Sequence, residues 1–290
     1  MKINSNTLQL AYQEAIQFAR KHYENFPVVS FLIQKKLRKD IALIYWFART
    51  ADDIADEGDL SVEKRLEQLA RFEKRLQNLL SGIYADKFDY ALAETIKERN
   101  LSQILFFKLL KAFRSDILFK NFREFENVTE YCTNSANPIG RLLLELHDIR
   151  DKNAMLLSDK ICTALQLTNF YQDLKFDIKK GRNYIPLNDL AKFGLNEHIF
   201  TDPVLRNKFC DVMKYQIERT KNLFSEGEEL LRFLPKKLRI EIAWTILGGR
   251  KILEKMEAAK YNVLKERPSL KKYELISLLI KAYSYAKRFS

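Results

Sequence analysis

"IALIYWFARTADDIADEGD", residues 41–59, carries a core-like apolar run straight into Asp52, Asp53 and Asp56. Unpaired carboxylates are among the costliest groups to bury, so this charge needs a counterpart. With side chains placed about 100° apart, Tyr45, Arg49, Asp52 and Asp56 fall within roughly 60° of one another. Phe47, Ala51 and Ile54 lie on the other side, where a surface helix would be polar. The pattern predicts a helix buried nearly all round, its charged stripe facing a cavity.

A second stretch, "LQLTNFYQDLKFDIKKGR" at 165–182, repeats the design. Gln166, Asn169, Asp173 and Asp177 align in one stripe. Leu167, Phe170, Leu174, Phe176 and Ile178 cover most of the rest, Lys175 falls on the outer side, and Arg182 follows. The pattern predicts that this acid-bearing face also points inward.

Helical periodicity extends over the whole chain. Apolar residues recurring at three and four predict helices over 6–24, 36–57, 61–81, 86–99, 101–120, 123–134, 138–148, 153–180, 203–232, 236–265 and 269–288. Pro27, Pro138, Pro186, Pro203, Pro235 and Pro268 all fall at the joints. With only 8 Gly and 6 Pro in 290 residues, sandwiches, barrels and doubly wound sheets are disfavoured. No linker or repeat is visible, so one all-α domain over 1–290 is expected, with "GRNYIPLNDLAKFGL" (181–195) as its longest connection, of a size often used for lids.

Three widely spaced cysteines, Cys132, Cys162 and Cys210, suggest neither disulfides nor zinc and fit a reducing cytosol. The N-terminal stretch has no apolar signal region and no window suits a membrane span, so a cytoplasmic protein is expected. The net charge of +12 admits an anionic partner. Residues 251–290 hold ten Lys/Arg against four Glu in an amphipathic pattern, which reads as a solvated face or as docking at the inner face of an anionic membrane.

If the two stripes face one another, their carboxylates repel unless cations sit between them. Mg2+ fits: it takes carboxylate oxygens, keeps waters and completes its shell with substrate phosphate. Zinc does not, because neither stripe carries His or Cys. A diphosphate held by Mg2+, Arg49 and Arg182 can depart with its electrons and leave a carbocation in an apolar pocket. That chemistry needs no nucleophilic side chain. His22, His147 and His198 are scattered, and no nucleophile-elbow, P-loop or dinucleotide motif is present.

The chain resembles the squalene/phytoene synthase family over essentially its full length. "YWFARTADDIADEGD" (45–59), "YCTNSANPIGRLLLEL" (131–146) and "LQLTNFYQDLKFDIKKGRNYIP" (165–186) carry the likeness. With "HYENFPVVS" (22–30) and "SANPIGRLLL", it looks most like the bacterial hydroxysqualene-forming branch of the hopanoid pathway. The resemblance implies an isoprenoid-synthase helical bundle around a central cavity, with two or three Mg2+ ions and a diphosphate. It assigns Asp52, Asp53 and Asp56 to the first metal motif and Asn169, Asp173 and Asp177 to the second. Arg49, Gln166, Arg182 and Tyr184 match positions at the diphosphate end; Tyr45, Ser30 and Phe31 match positions near the substrate chain.

In that branch, presqualene diphosphate ionises and water captures the cation, giving hydroxysqualene and diphosphate without NAD(P)H. Handover to other squalene-pathway enzymes is implied as well. Arg250 stands where other branches place a Tyr, which counts against carotenoid-type activities. Arg250 and Arg267 are expected to hold the departing diphosphate or shape the cavity's end, or else to pair with Glu254 or Glu257. Rival readings are head-to-head condensation of two prenyl diphosphates to presqualene diphosphate, dehydrosqualene or phytoene, and a non-catalytic helical assembly protein, which would have little use for both acid stripes. A nucleic-acid binder would gather its basic residues along one groove, whereas here they are dispersed.

Overall fold

The computed structural model describes residues 5–21, 32–56, 60–196, 199, 206–265 and 267–290. Among these residues there is no strand, and the chain is all-α as expected. The helices gather into two compact units, one formed by 1–118 with 138–150 and the other by 119–137 with 151–290.

The first unit contains α1 (Ser5–Lys21), α2 (Arg38–Asp56), α3 (Val62–Leu80), α4 (Lys87–Glu98), α5 (Gln103–Ile117) and most of α7 (Asn137–Leu146). Its core forms around α2. Phe47 stacks on Phe72 at 5.2 Å and meets Phe106 edge-on at 5.3 Å, while Trp46 stacks on Phe88 at 4.7 Å. Tyr12, Ala15 and Ala19 of α1 pack with Ala42 and Leu43 on another side. The start of α2 is fixed by Asp40, fully buried and bonded by Arg99 at 2.9 Å. No residue of α2 is fully exposed, but only seven of its 19 are buried, so the helix is less enclosed than its sequence predicts.

The second unit contains α6 (Phe125–Asn134), α8 (Lys152–Lys179), α9 (Leu187–Lys192), α10 (Arg206–Gly227), α11 (Lys236–Ala258) and α12 (Lys272–Ala286). Asp151 caps α8, accepting from the Ala154 amide at 2.9 Å. Gly227 and Gly249 permit close packing here: a Cβ at Gly227 would stand 2.7 Å from Ile161, and one at Gly249 2.5 Å from Phe224.

Two sequence expectations need correction. The predicted open connection 181–195 contains α9 and is tied down. Tyr184, Ile185, Leu190 and Leu195 are buried, and the Leu187 and Asn188 amides donate to Phe122 and Arg123 carbonyls at 2.9 Å each. Asp189 is held by Gln216 at 2.9 Å and Arg219 at 2.8 Å. It is a packed segment with a short helix, not one long loop. The helix predicted to reach 265 ends at Ala258, because Lys260 and Tyr261 turn left-handed at φ 52° and 61°.

Candidate active site

The last two turns of α2 present the first stripe. Arg49 pairs with Asp52 at 3.2 Å and with Asp53 at 2.6 Å, about one turn along the same helix. Asp52, Asp53 and Asp56 are all half-buried. Tyr45, one turn before Arg49, is half-buried beside Phe18, their ring centroids 6.2 Å apart. From α3, Arg65 donates to the Ala55 carbonyl at 3.2 Å and so binds the C-terminal end of the acid-bearing turn. Ser30 and Phe31 lie outside the described residues.

The second stripe lies on the last half of α8. Asp173 and Asp177 are half-buried, as is Gln166, while Asn169 is exposed. Arg267 forks onto Asp173, its Nε on one carboxylate oxygen and its second nitrogen 3.2 Å from the other. The bond to Asp173 holds the guanidinium above its ordinary pKa, against the opposing effect of burial. The segment bearing Arg267 is fastened along α8 on both sides of that contact. Buried Gln172 donates to the Pro268 carbonyl at 2.5 Å, and Lys175 to the Lys265 carbonyl at 3.2 Å. Lys175 therefore has a tether where its sequence position predicts only an outer face.

Helix α8 ends through the local chemistry of "DIKKGR". Gly181 takes φ 75°, its amide donates to Ile178 O, and the Arg182 amide folds back to Asp177 O, both at 2.9 Å. This glycine-dependent C-cap places Arg182 at the acid end of the stripe. Tyr184 is buried, stacked on Phe170 at 3.7 Å within a cluster that includes Phe119, Phe122 and Tyr131. Phe176, counted in the sequence among the covering apolar residues, is 48% exposed. It stands three residues from Asp173 and seven from Asn169, so α8 offers an accessible aromatic ring beside its acids.

Arg250 has other partners than those expected. It bonds Glu228 at 2.6 Å, Tyr285 at 2.8 Å and Ser225 at 3.2 Å, while Glu254 pairs with Lys251 and Glu257 with Lys221. An open groove of about 820 Å³, lined by α6, α8 and Leu223, contains none of the stripe residues. Burial pushes the Cys132 thiol up to about 12, and His147 is half-buried, its Nδ1 2.9 Å from the Leu143 carbonyl oxygen.

The donor set suits Mg2+ by chemistry, since both stripes offer only oxygen ligands. Among the described residues, no three His, Cys, Asp or Glu side chains converge closely enough to enclose a metal ion. The carboxylates that are paired face arginines instead. Such a set fits an ion that draws the rest of its shell from phosphate and water, not one held in a protein cage.

The profile described as squalene/phytoene synthase matches residues 19–274. The chain belongs to the squalene/phytoene synthase family. It is thus an enzyme that acts on prenyl diphosphates. Among solved squalene/phytoene synthases, the squalene synthase HpnC of Alicyclobacillus acidocaldarius is 32% identical, with a TM-score of 0.83 over 89% of this chain and 97% of that one. A dehydrosqualene synthase, 22% identical, shares the fold at a TM-score of 0.87 over 98% of this chain and 99% of its own. By sequence, phytoene synthase 1 of Zea mays is 28% identical over 98% of this chain and 70% of its own length. The 15-cis-phytoene synthase of Synechococcus elongatus is 26% identical over 90% of this chain and 88% of its own. Among the described residues, no helix of this family member is long and apolar enough to cross a membrane.

Proposed function

We propose that the chain converts presqualene diphosphate and water to hydroxysqualene and diphosphate, with Mg2+ bound through Asp52, Asp53, Asp56, Asn169, Asp173 and Asp177. The carrying observation is that each acidic stripe is held by an arginine, Arg49 on Asp52 and Asp53 and Arg267 on Asp173. Such pairs can exchange partners when a cation meets the acids and a diphosphate meets the arginines. The 32% identity to a squalene synthase over nearly all of that chain supports the squalene side of the family.

Mg2+, when bound, neutralises the diphosphate and makes it a better leaving group. Arg49, Arg182 and Arg267 bind the diphosphate oxygens, and Gln166 orients them. The C–O bond breaks with its electron pair leaving on the diphosphate, and the cyclopropylcarbinyl cation rearranges with Tyr45 near the substrate chain. A water oxygen forms the new C–O bond, and its proton passes to the departing diphosphate or to solvent. No hydride is consumed, so NAD(P)H has no part. The reading places the enzyme in the cytoplasm, peripheral at the inner face of the membrane, with handover to other squalene-pathway enzymes.

The test is incubation with Mg2+ and either presqualene diphosphate or farnesyl diphosphate, with products identified by mass spectrometry. Hydroxysqualene from presqualene diphosphate alone is the expected result. A second reading, head-to-head condensation of two prenyl diphosphates, draws on the similarity to phytoene synthases over almost the whole chain. Presqualene diphosphate, dehydrosqualene or phytoene formed from prenyl diphosphates would establish it and end the first.

A further inference from the structure

Helix α12 turns an apolar stripe outward. Tyr273, Ile276, Ile280 and Tyr283 are 65%, 62%, 70% and 47% exposed. Their spacing confines them to an arc of about 80° on the helix. The helix also has an inner apolar face, where Leu278, Ala282 and Ala286 are buried and α12 packs on α11. The outward stripe is therefore additional to what the fold needs. It is also rigidly presented, because Trp244 donates to the Leu275 carbonyl at 3.0 Å and Lys255 pairs with Glu274 at 2.7 Å.

The exposed charges that α12 and the turn after it carry beside the stripe are cationic, while on α11 Lys251 pairs with Glu254 at 2.9 Å. Lys272 borders one side of the arc, Lys281 lies about 80° beyond the other, and Arg288, in the 3-10 turn that follows the helix, sits over the Tyr285 ring; all three are exposed. Lys287 sits over the Tyr283 ring at 4.9 Å from its centroid. The helix's own acid, Glu274, lies outside the arc, turned to Lys255. Four apolar side chains are few beside the roughly 20–30 residues a side of a stable protein interface. Two copies meeting through this face would also set like charges together. An apolar arc flanked by cations, with a tyrosine near each end, matches an anionic lipid surface: isoleucines enter the acyl boundary, phenols rest at headgroup level, and cations meet the phosphates.

We propose that α12 docks on anionic membrane through Tyr273, Ile276, Ile280 and Tyr283, with Lys272, Lys281, Lys287 and Arg288 contacting the headgroups. The surface stands independently of which diphosphate the enzyme turns over.

The test is co-sedimentation of the full chain with phosphatidylglycerol/phosphatidylcholine vesicles and with pure phosphatidylcholine vesicles, alongside light scattering in solution. Binding to the anionic vesicles that weakens with salt is expected. The Ile276→Ser/Ile280→Ser variant should lose at least about tenfold in binding, and Lys272→Gln/Lys281→Gln should lose several-fold and flatten the salt dependence. Circular dichroism and thermal melting of both variants should match the parent chain. The proposal is overturned by an intact chain that ignores anionic vesicles, or by an isoleucine double variant that binds as well as the parent. A dimer that this variant dissociates, without vesicle binding, assigns the face to a second copy instead. None of these readings uses turnover, so failure here and failure of the proposed reaction are separately visible.

Discussion

Arg267 reaches Asp173 from 94 residues further along the chain and grips both oxygens of its carboxylate. Arg49 does the corresponding work on Asp52 and Asp53 from within its own helix. In both cases an arginine pairs with carboxylates to which Mg2+ binding is proposed, and the same guanidinium geometry suits phosphate oxygens. The Arg267 pair is partly exposed, at 39% and 35% of the two side chains, so it adds little to stability. Arg267→Gln should change unfolding stability by less than ~1 kcal/mol. It should raise KM for the prenyl diphosphate by about 10–100-fold, the worth of a charged hydrogen bond. Steady-state kinetics and chemical denaturation on the same preparation separate the two effects, and Arg267→Lys should recover part of the KM loss.

The acids themselves act through charge and oxygen count. Asp52→Asn and Asp177→Asn keep the shape of the side chain and remove its charge. Each should lower turnover by about 10²-fold or more while raising the Mg2+ concentration for half-maximal rate. Circular dichroism should be unchanged, since neither group holds the core. A titration of rate against Mg2+ checks this. Unchanged metal dependence in both variants would remove the stripes from the metal site.

The elements were legible wherever apolar residues recur at helical spacing. The predicted boundaries of α2, α3, α4 and α8 lie within two residues of those found. The helices that carry the stripes were legible by the same geometry, and so was Arg49's pairing with nearby acids; the predicted inward turn of the α8 face does not hold for Asn169, which is exposed. What escaped is non-local. Nothing near Arg267 in sequence points to Asp173, and nothing near Arg250 points to Glu228, because folding alone brings those partners together. Segment 181–195 was misread because the apolar residues Tyr184, Ile185, Leu190 and Leu195 lack helical period, and their burial is set by neighbours on α6 and α10. The sequence puts Phe176 among the covering residues because a wheel gives direction but not what lies there.

Arg250, Glu228 and Tyr285 form a closed cluster that joins α11 and α12 to the 3-10 turn Glu228–Phe233. Arg250→Leu leaves Glu228 without its cation and should cost about 1–3 kcal/mol. Glu228→Gln in the same chain should restore part of that loss. KM for the diphosphate should stay unchanged in the double variant. A raised KM that Glu228→Gln does not correct would place Arg250 in contact with substrate.

Gly227 and Gly249 set how closely the helices of the second unit approach. A methyl at Gly227 meets backbone atoms of Ile161 and Leu157 at 3.1 and 3.2 Å, and one at Gly249 meets the fully buried Phe224 ring. Neither neighbour can swing away. Gly227→Ala and Gly249→Ala should each destabilise by about 1–3 kcal/mol through overpacking, outweighing the helix propensity of alanine. Thermal melting reads this directly, and an unchanged midpoint would show that α10 can move from α8, or α11 from α10, at little cost.

Asp189 ties α9 to α10 through Arg219 and Gln216, with its side chain almost fully enclosed. Burial works to raise its pKa, but the hydrogen bonds from Arg219 and Gln216 and the charge of Arg219 outweigh it, and the carboxyl is held below its ordinary value of 3.8. The unfolded chain therefore takes up this proton first as pH falls. The stabilisation from Asp189 is fully present above pH 3.8 and is lost as pH drops through the lower folded value. Asp189→Asn removes the charge but leaves Arg219 partly buried without its carboxylate, at an expected cost of about 3–5 kcal/mol near neutral pH. Denaturation of both proteins across acidic pH should show the gap narrowing only below the ordinary carboxylate range. A gap that is constant down to the lowest pH at which both still fold would mean that Asp189 stabilises the fold by shape and hydrogen bonding rather than by its charge.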